Sequence, residues 1–174
     1  MATTIERPVE REPRLGHPTP AHRRTGPVEA LTVAILGLMA VASAVGLTVE
    51  GLYHDGAWAR EALRGGDLTT LALVLPTLAV ALVLGRRGSA GGRIVWLGAL
   101  AYGVYNYTYF AFGAEFNAIF PLHVALLTLS IVTLLLAVTT FDLRPIAARV
   151  RVAGARWVGV FLAVVGTVLG GLWL

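Results

Sequence analysis

Apolar positions in this chain come in long unbroken runs. Five stretches contain no Asp, Glu, Lys or Arg: 30–49, 68–85, 94–114, 116–141 and 157–174. A bilayer core needs about 20 apolar residues of helix. Buried helices of soluble proteins are rarely so long and so free of charge. The strict alternation expected of a membrane β-barrel is missing. The pattern therefore predicts an all-α fold, an integral membrane helical bundle with five transmembrane helices. They fall at about 30–49, 68–85, 94–114, 118–141 and 157–174, so that 28–174 forms one bundle.

Residues 1–27 have the opposite pattern, with five Arg, three Glu, two His and almost no large apolar side chain. Such a segment cannot bury enough surface to offset its ordering entropy, and is expected to be a disordered basic tail. Glu6, Glu10 and Glu12 argue against a transit peptide, and the length and polarity against a signal peptide, so the first span reads as a retained anchor. Span five runs to Leu174 with no polar residue after it, and the sequence leaves open whether a sixth helix follows.

Arg positions set the expected orientation. The tail holds five, the loop 86–93 three and the loop 142–156 four, whereas 50–67 has two Arg against four acids. Twelve of 14 thus fall on one side, which the positive-inside rule makes cytoplasmic. The N-terminus is then inside and the C-terminus outside, in a cytoplasmic (inner) membrane. The tryptophans agree, since indole prefers the headgroup layer: Trp96 and Trp157 open spans at the inner face, and Trp58 and Trp173 lie at the outer one. In the outer loop, Asp55 is expected to cap a short helix over 57–64 that Gly65-Gly66 ends. Asp67 would then cap span two, and Pro76 would kink it.

Composition removes whole classes of chemistry. Hydrophobic residues make up 56% and charged residues 14%, with mean hydropathy +0.73. A soluble domain carries about 25% charged residues. All 14 basic residues are Arg and there is no Cys. Absence of Cys excludes disulfides, thiolate nucleophiles and iron–sulfur clusters. Absence of Lys excludes a Schiff base and a P-loop. Arg without Lys, with abundant Ala, Gly and Val, fits the codon bias of a GC-rich prokaryote. The pI near 10.1 reflects topology, and no nucleic-acid partner is expected.

Polar groups inside spans need partners, so their positions carry information. Span three contains Ala-Tyr-Gly-Val-Tyr-Asn-Tyr-Thr-Tyr-Phe over 101–110. Tyr102, Tyr105, Tyr109, Phe112 and Phe116 recur at helical spacing as an aromatic stripe, with Asn106 on the neighbouring stripe and Tyr107 pointing away from both. Span four offers His123, Ser130, Thr133 and Thr140. An antiparallel hairpin would bring Tyr105 and Asn106 level with Ser130, and His123 level with Tyr109 and Phe112 near Glu115. The candidate ligand-binding residues are Tyr102, Tyr105, Asn106, Tyr109, Phe112, His123 and Ser130, bordering an outward-opening cavity. Glu115 with His123 is a proton-linked alternative. Glu50, His54, Asp55, Glu115 and His123 share the outer side, but no HxxxH or HExxH spacing supports a metal, and no cofactor is expected.

The residues Tyr105-Asn106-Tyr107, Phe112-Gly113, Phe116-Asn117 and Ser130 resemble a group of uncharacterised small multi-pass membrane proteins of bacteria and archaea. The likeness covers about 105–130 and implies only that this hairpin is a recurring unit. The functional expectation is binding or passage of a small or lipid-like molecule at the Tyr/Asn/His seam between spans three and four, within the lipid bilayer. A homo-oligomer or a larger membrane complex would be the partner. The alternative is a structural or assembly protein in which the seam is helix–helix glue. No catalytic triad or nucleotide motif supports an enzyme.

Overall fold

The computed structural model describes residues 25–141 together with Arg156, Val160, Ala163, Val164 and Thr167. Most of the expected tail, of the 142–156 loop and of the fifth span lies outside the described residues. Within them every regular element is helical: α1 Gly26–Thr48, α2 Ala57–Thr69, α3 Leu75–Arg86, α4 Ala90–Phe112 and α5 Phe120–Thr140. A π-helical turn over Thr70–Val74 joins α2 to α3, making one rod, Ala57–Arg86.

The four rods close into a ring. α1 packs on α5 and on the α2–α3 rod, α3 packs on α4, and α4 packs on α5. The short connections make sequential neighbours antiparallel. At one end the Glu29 carboxylate of α1 meets Arg86 of α3 at 3.1 Å, and this is the Arg-rich end. At the other, acidic end the Glu115 N–H donates to Asp55 at 3.0 Å, joining the 49–56 and 113–119 loops.

Three helices are long and apolar enough to cross a membrane: Gly26–Thr48, Ala57–Arg86 and Phe120–Thr140. α4 has the same 23-residue length as α1, but the Tyr, Asn and Thr between 102 and 109 reduce its hydropathy. The core is apolar, with Ile35, Met39, Leu78, Leu100 and Leu126 fully buried, but the outward faces are apolar too. Val33, Val80, Val95, Ile131 and Leu135 project outward, while Thr32, Ser43, Asp67, Thr70, His123, Ser130 and Thr133 are enclosed. Such a distribution suits lipid outside and polar pairing inside.

Several local expectations are corrected. Gly65 and Gly66 do not end a helix: the chain stays helical through them. Continuing the helix keeps Leu63, Asp67, Thr70 and Val74 on one inward face, and Gly66 meets the Asn106 side-chain oxygen and the Phe110 ring at ordinary contact distance. Asp67 consequently caps nothing and lies buried inside the rod. Asp55 is not a cap either. Gly56 holds that position, and the Asp55 carboxylate turns to the 113–119 loop.

Pro76 opens α3 immediately after the π turn. Its ring removes the N–H that would meet the carbonyl four residues back, and the widened turn absorbs that mismatch. Trp96 does sit at the Arg-rich end, but inside the bundle. Its indole N–H donates to the Thr32 hydroxyl at 3.0 Å, and its ring packs on Phe141 at 5.1 Å.

Candidate functional site

The helical faces that meet in the acidic half of the bundle are unusually polar. α4 buries Gly92, Trp96, Ala99, Leu100, Gly103, Asn106, Tyr107 and Phe110, a three-and-four spacing that makes one inward stripe. α1 contributes Ser43 and Gly46 to the interior, the α2–α3 rod Leu63, Asp67 and Thr70, and α5 His123, Ser130 and Thr133. Ser43, Tyr107 and His123 all lie within about 8 Å of their helix ends at 1.5 Å per residue.

At the centre is Asp67. The Tyr53 hydroxyl, from the 49–56 loop, donates to its Oδ2 at 2.6 Å. A side chain at Gly46 would overlap that carboxyl and stand 2.6 Å from the Tyr53 hydroxyl, so the missing side chain is what lets α1 close over the pair. Burial, and then the bond to Asp67, pushes the Tyr53 phenol well above its ordinary pKa, which keeps it a donor. Beside the pair lies the Ser43 hydroxyl, adjacent to both Asp67 and the Tyr107 phenol.

Tyr107 leads on to His123. Their rings stack at 6.0 Å and 28°, and the imidazole also lies 4.6 Å from Phe110. Among the described residues, Ser43 Oγ, Tyr107 OH, both His123 nitrogens, Ser130 Oγ and Thr133 Oγ1 are buried without a hydrogen-bond partner. Buried polar atoms are ordinarily paired. Ser and Thr on helices usually bond back to a carbonyl, as Thr32 and Thr108 do here. These groups thus hold unused donor and acceptor capacity inside the bundle.

The expected site residues divide between interior and surface. His123 and Ser130 are fully buried and Asn106 nearly so. Tyr105 and Phe112 face outward, 70% and 81% exposed, so they share no wall with His123. Tyr102 and Tyr109 are half-buried. The Tyr102 hydroxyl donates to Asn106 Oδ1 at 3.4 Å within α4, and Tyr109 packs edge-on against Phe110.

The hairpin register also differs. Ser130 meets Gly103, not Asn106, with its Oγ 3.0 Å from where a Gly103 Cβ would stand. His123 meets Tyr107 and Phe110, not Tyr109 and Phe112. The cause is the connection: α5 starts at Phe120 after seven residues, which shifts the partners by less than a turn. Glu115 is exposed in that connection while His123 is enclosed.

Sequence reasoning misses Ser43, Tyr53, Asp67 and Tyr107. Asp67 is legible only if Gly65-Gly66 stays helical, for it then falls in register with Leu63, Thr70 and Val74. Tyr107 shares the spacing of Gly103 and Phe110. Tyr53 gives no signal, because its role depends on a loop folding back. Among the described residues no three His, Asp or Glu side chains group closely enough to hold a metal. Comparison with models of known protein families, with curated proteins and with solved structures finds no match to this chain.

Proposed function

We propose that this chain is a five-span protein of a prokaryotic cytoplasmic membrane, tail inside, which passes a small solute through a polar interior, and that the solute is the proton. The carrying observation is Asp67, an acid buried within an apolar rod and held at 2.6 Å by Tyr53. An ionisable group inside a membrane span is costly and marks ion or proton pathways. The buried Ser43 and Tyr107 hydroxyls near it, and the His123 imidazole stacked on Tyr107, supply groups that can each accept one proton and release another. Close packing around Gly46 and Gly103 favours a solute that needs almost no volume. This reading moves the functional seam from the outward Tyr105 and Phe112 to the bundle interior.

The bond between Trp96 and Thr32 supports the second reading, in which interior polar groups only glue helices together. Liposomes with a trapped pH dye separate the two under an imposed potassium potential. Vesicles containing the protein are expected to acidify faster than protein-free vesicles, and Asp67→Asn to return the rate to the protein-free level while the variant still unfolds cooperatively on heating. Wild-type vesicles no faster than empty ones would overturn the proton reading in favour of glue. An unchanged rate in Asp67→Asn would remove Asp67 from the path.

A further inference from the structure

The outward surface between α3 and α4 is not smooth. One recess of about 500 Å³ is lined by Pro76, Val80, Leu84, Ser89, Gly92 and Val95 among others. A second of about 440 Å³ is lined by Leu73, Val74, Ile94, Gly98 and Tyr102 among others. Thr77 and Val95 border both, so they form one apolar groove. Gly98 keeps it open, with nothing within 4 Å of where its Cβ would stand.

From Ser89 to Tyr102 the groove spans about 20 Å at 1.5 Å per residue. Half of a hydrocarbon core is about 15 Å, so the groove has the reach of one leaflet. The larger recess reaches Ser89 and Gly91 in the Arg-rich turn. There Arg86 pairs with Glu29, and Arg93 lies over the Phe141 ring at 5.7 Å. Arg87 is exposed, and its guanidinium has no ion pair or hydrogen bond among the described residues. The turn 86–93 holds three Arg and no acid.

We propose that this groove binds one anionic glycerophospholipid, its phosphate on Arg87 with Arg93 beside it, and an acyl chain along Val80, Val95 and Gly98. An apolar channel one leaflet deep, bordered at Ser89 by the turn that carries the exposed Arg87, matches that amphiphile, and basic sites between spans recognise anionic headgroups. Arg suits the phosphate through its planar donor fork. The inference rests on the membrane placement proposed above but not on the proton pathway.

Native mass spectrometry and thermal unfolding of the detergent-purified protein test it, with phosphatidylglycerol and phosphatidylcholine of identical chains as probes. Phosphatidylglycerol is expected to bind at least about fivefold tighter, because choline cancels the phosphate charge in phosphatidylcholine and nothing cancels it in phosphatidylglycerol, and to raise the unfolding temperature more. Arg87→Gln should erase that preference, and Gly98→Phe, which fills the groove, should weaken both lipids. Equal binding of the two lipids to the wild type, or a preference that survives Arg87→Gln, would overturn the proposal. So would a wild-type dimer that Gly98→Phe splits, because a second copy would then occupy the groove. A chain that carbonate washes from membranes would instead defeat the membrane placement.

Discussion

At Gly46 the absence of a side chain is what lets α1 close over Tyr53 and Asp67. Gly37, on the same helix, is exposed and has nothing within 4 Å of where a Cβ would stand. The same substitution should therefore act oppositely at the two positions. Gly37→Ala gains helix propensity and should stabilise by up to about 1 kcal/mol. Gly46→Ala makes the same gain but drives a methyl into a carboxyl that is enclosed and bonded to Tyr53, so a net loss of about 1–3 kcal/mol is expected. Denaturant unfolding in mixed micelles measures both. Equal effects at the two glycines would mean that Asp67 can swing aside, and that the Tyr53 bond does not hold it.

The α2–α3 rod is where element-scale forces conflict. Thr70 and Val74 must stay inside, while Pro76 withdraws a donor from the helix two residues later. The π turn meets both demands, and the Leu75 N–H bonds the Thr70 carbonyl across it. Pro76→Ala restores a donor for the Ala72 carbonyl, four residues back. The turn should tighten, hydrogen exchange across 70–77 should slow, and stability should rise by on the order of 1 kcal/mol. Unchanged exchange would assign the widened turn to the packing of Thr70 and Val74. α4 shows a different compromise, since the inward stripe that seats Tyr107 and Phe110 also costs the helix the hydropathy of its neighbours.

At the scale of the whole molecule, charge is biased between the two ends, although Arg60 and Arg64 lie at the acidic end and Glu29 at the Arg-rich one. Arg86, Arg87 and Arg93 lie at one end, and Glu50, Asp55, Glu61 and Glu115 at the other. If the Arg-rich end is cytoplasmic, a cysteine at the exposed Ala57 should react with impermeant maleimide in intact cells, while one at the exposed Arg87 should react only after lysis. The native chain has no Cys, so each label reports one position. The reverse pattern would invert the proposed orientation and put the lipid groove in the outer leaflet.

Sequence by itself determined the helical class of this protein and, among the described residues, where its long helices fall. Runs of about 20 uncharged residues can only be helical in a bilayer, because lipid offers the backbone no hydrogen-bond partner. The starts and ends of α1, α4 and α5 fall within a few residues of the uncharged runs for that reason. Span two departs from the pattern at Gly65-Gly66, where a local rule about helix ends is overridden by the inward register of Leu63, Asp67, Thr70 and Val74. The interior site is only partly legible. His123, Ser130 and Asn106 can be read as inward because α5 and α4 repeat at helical spacing, yet their partners depend on the 113–119 connection. Outward Tyr105 and inward Tyr107 are alike in composition and differ only in which face of α4 turns inward between α3 and α5. The joining of Tyr53, Asp67, Ser43 and Tyr107 was decided by tertiary structure alone. It needs a folded-back loop, a glycine that admits close approach and three helices meeting at one depth, and none of these is a property of a local stretch of chain.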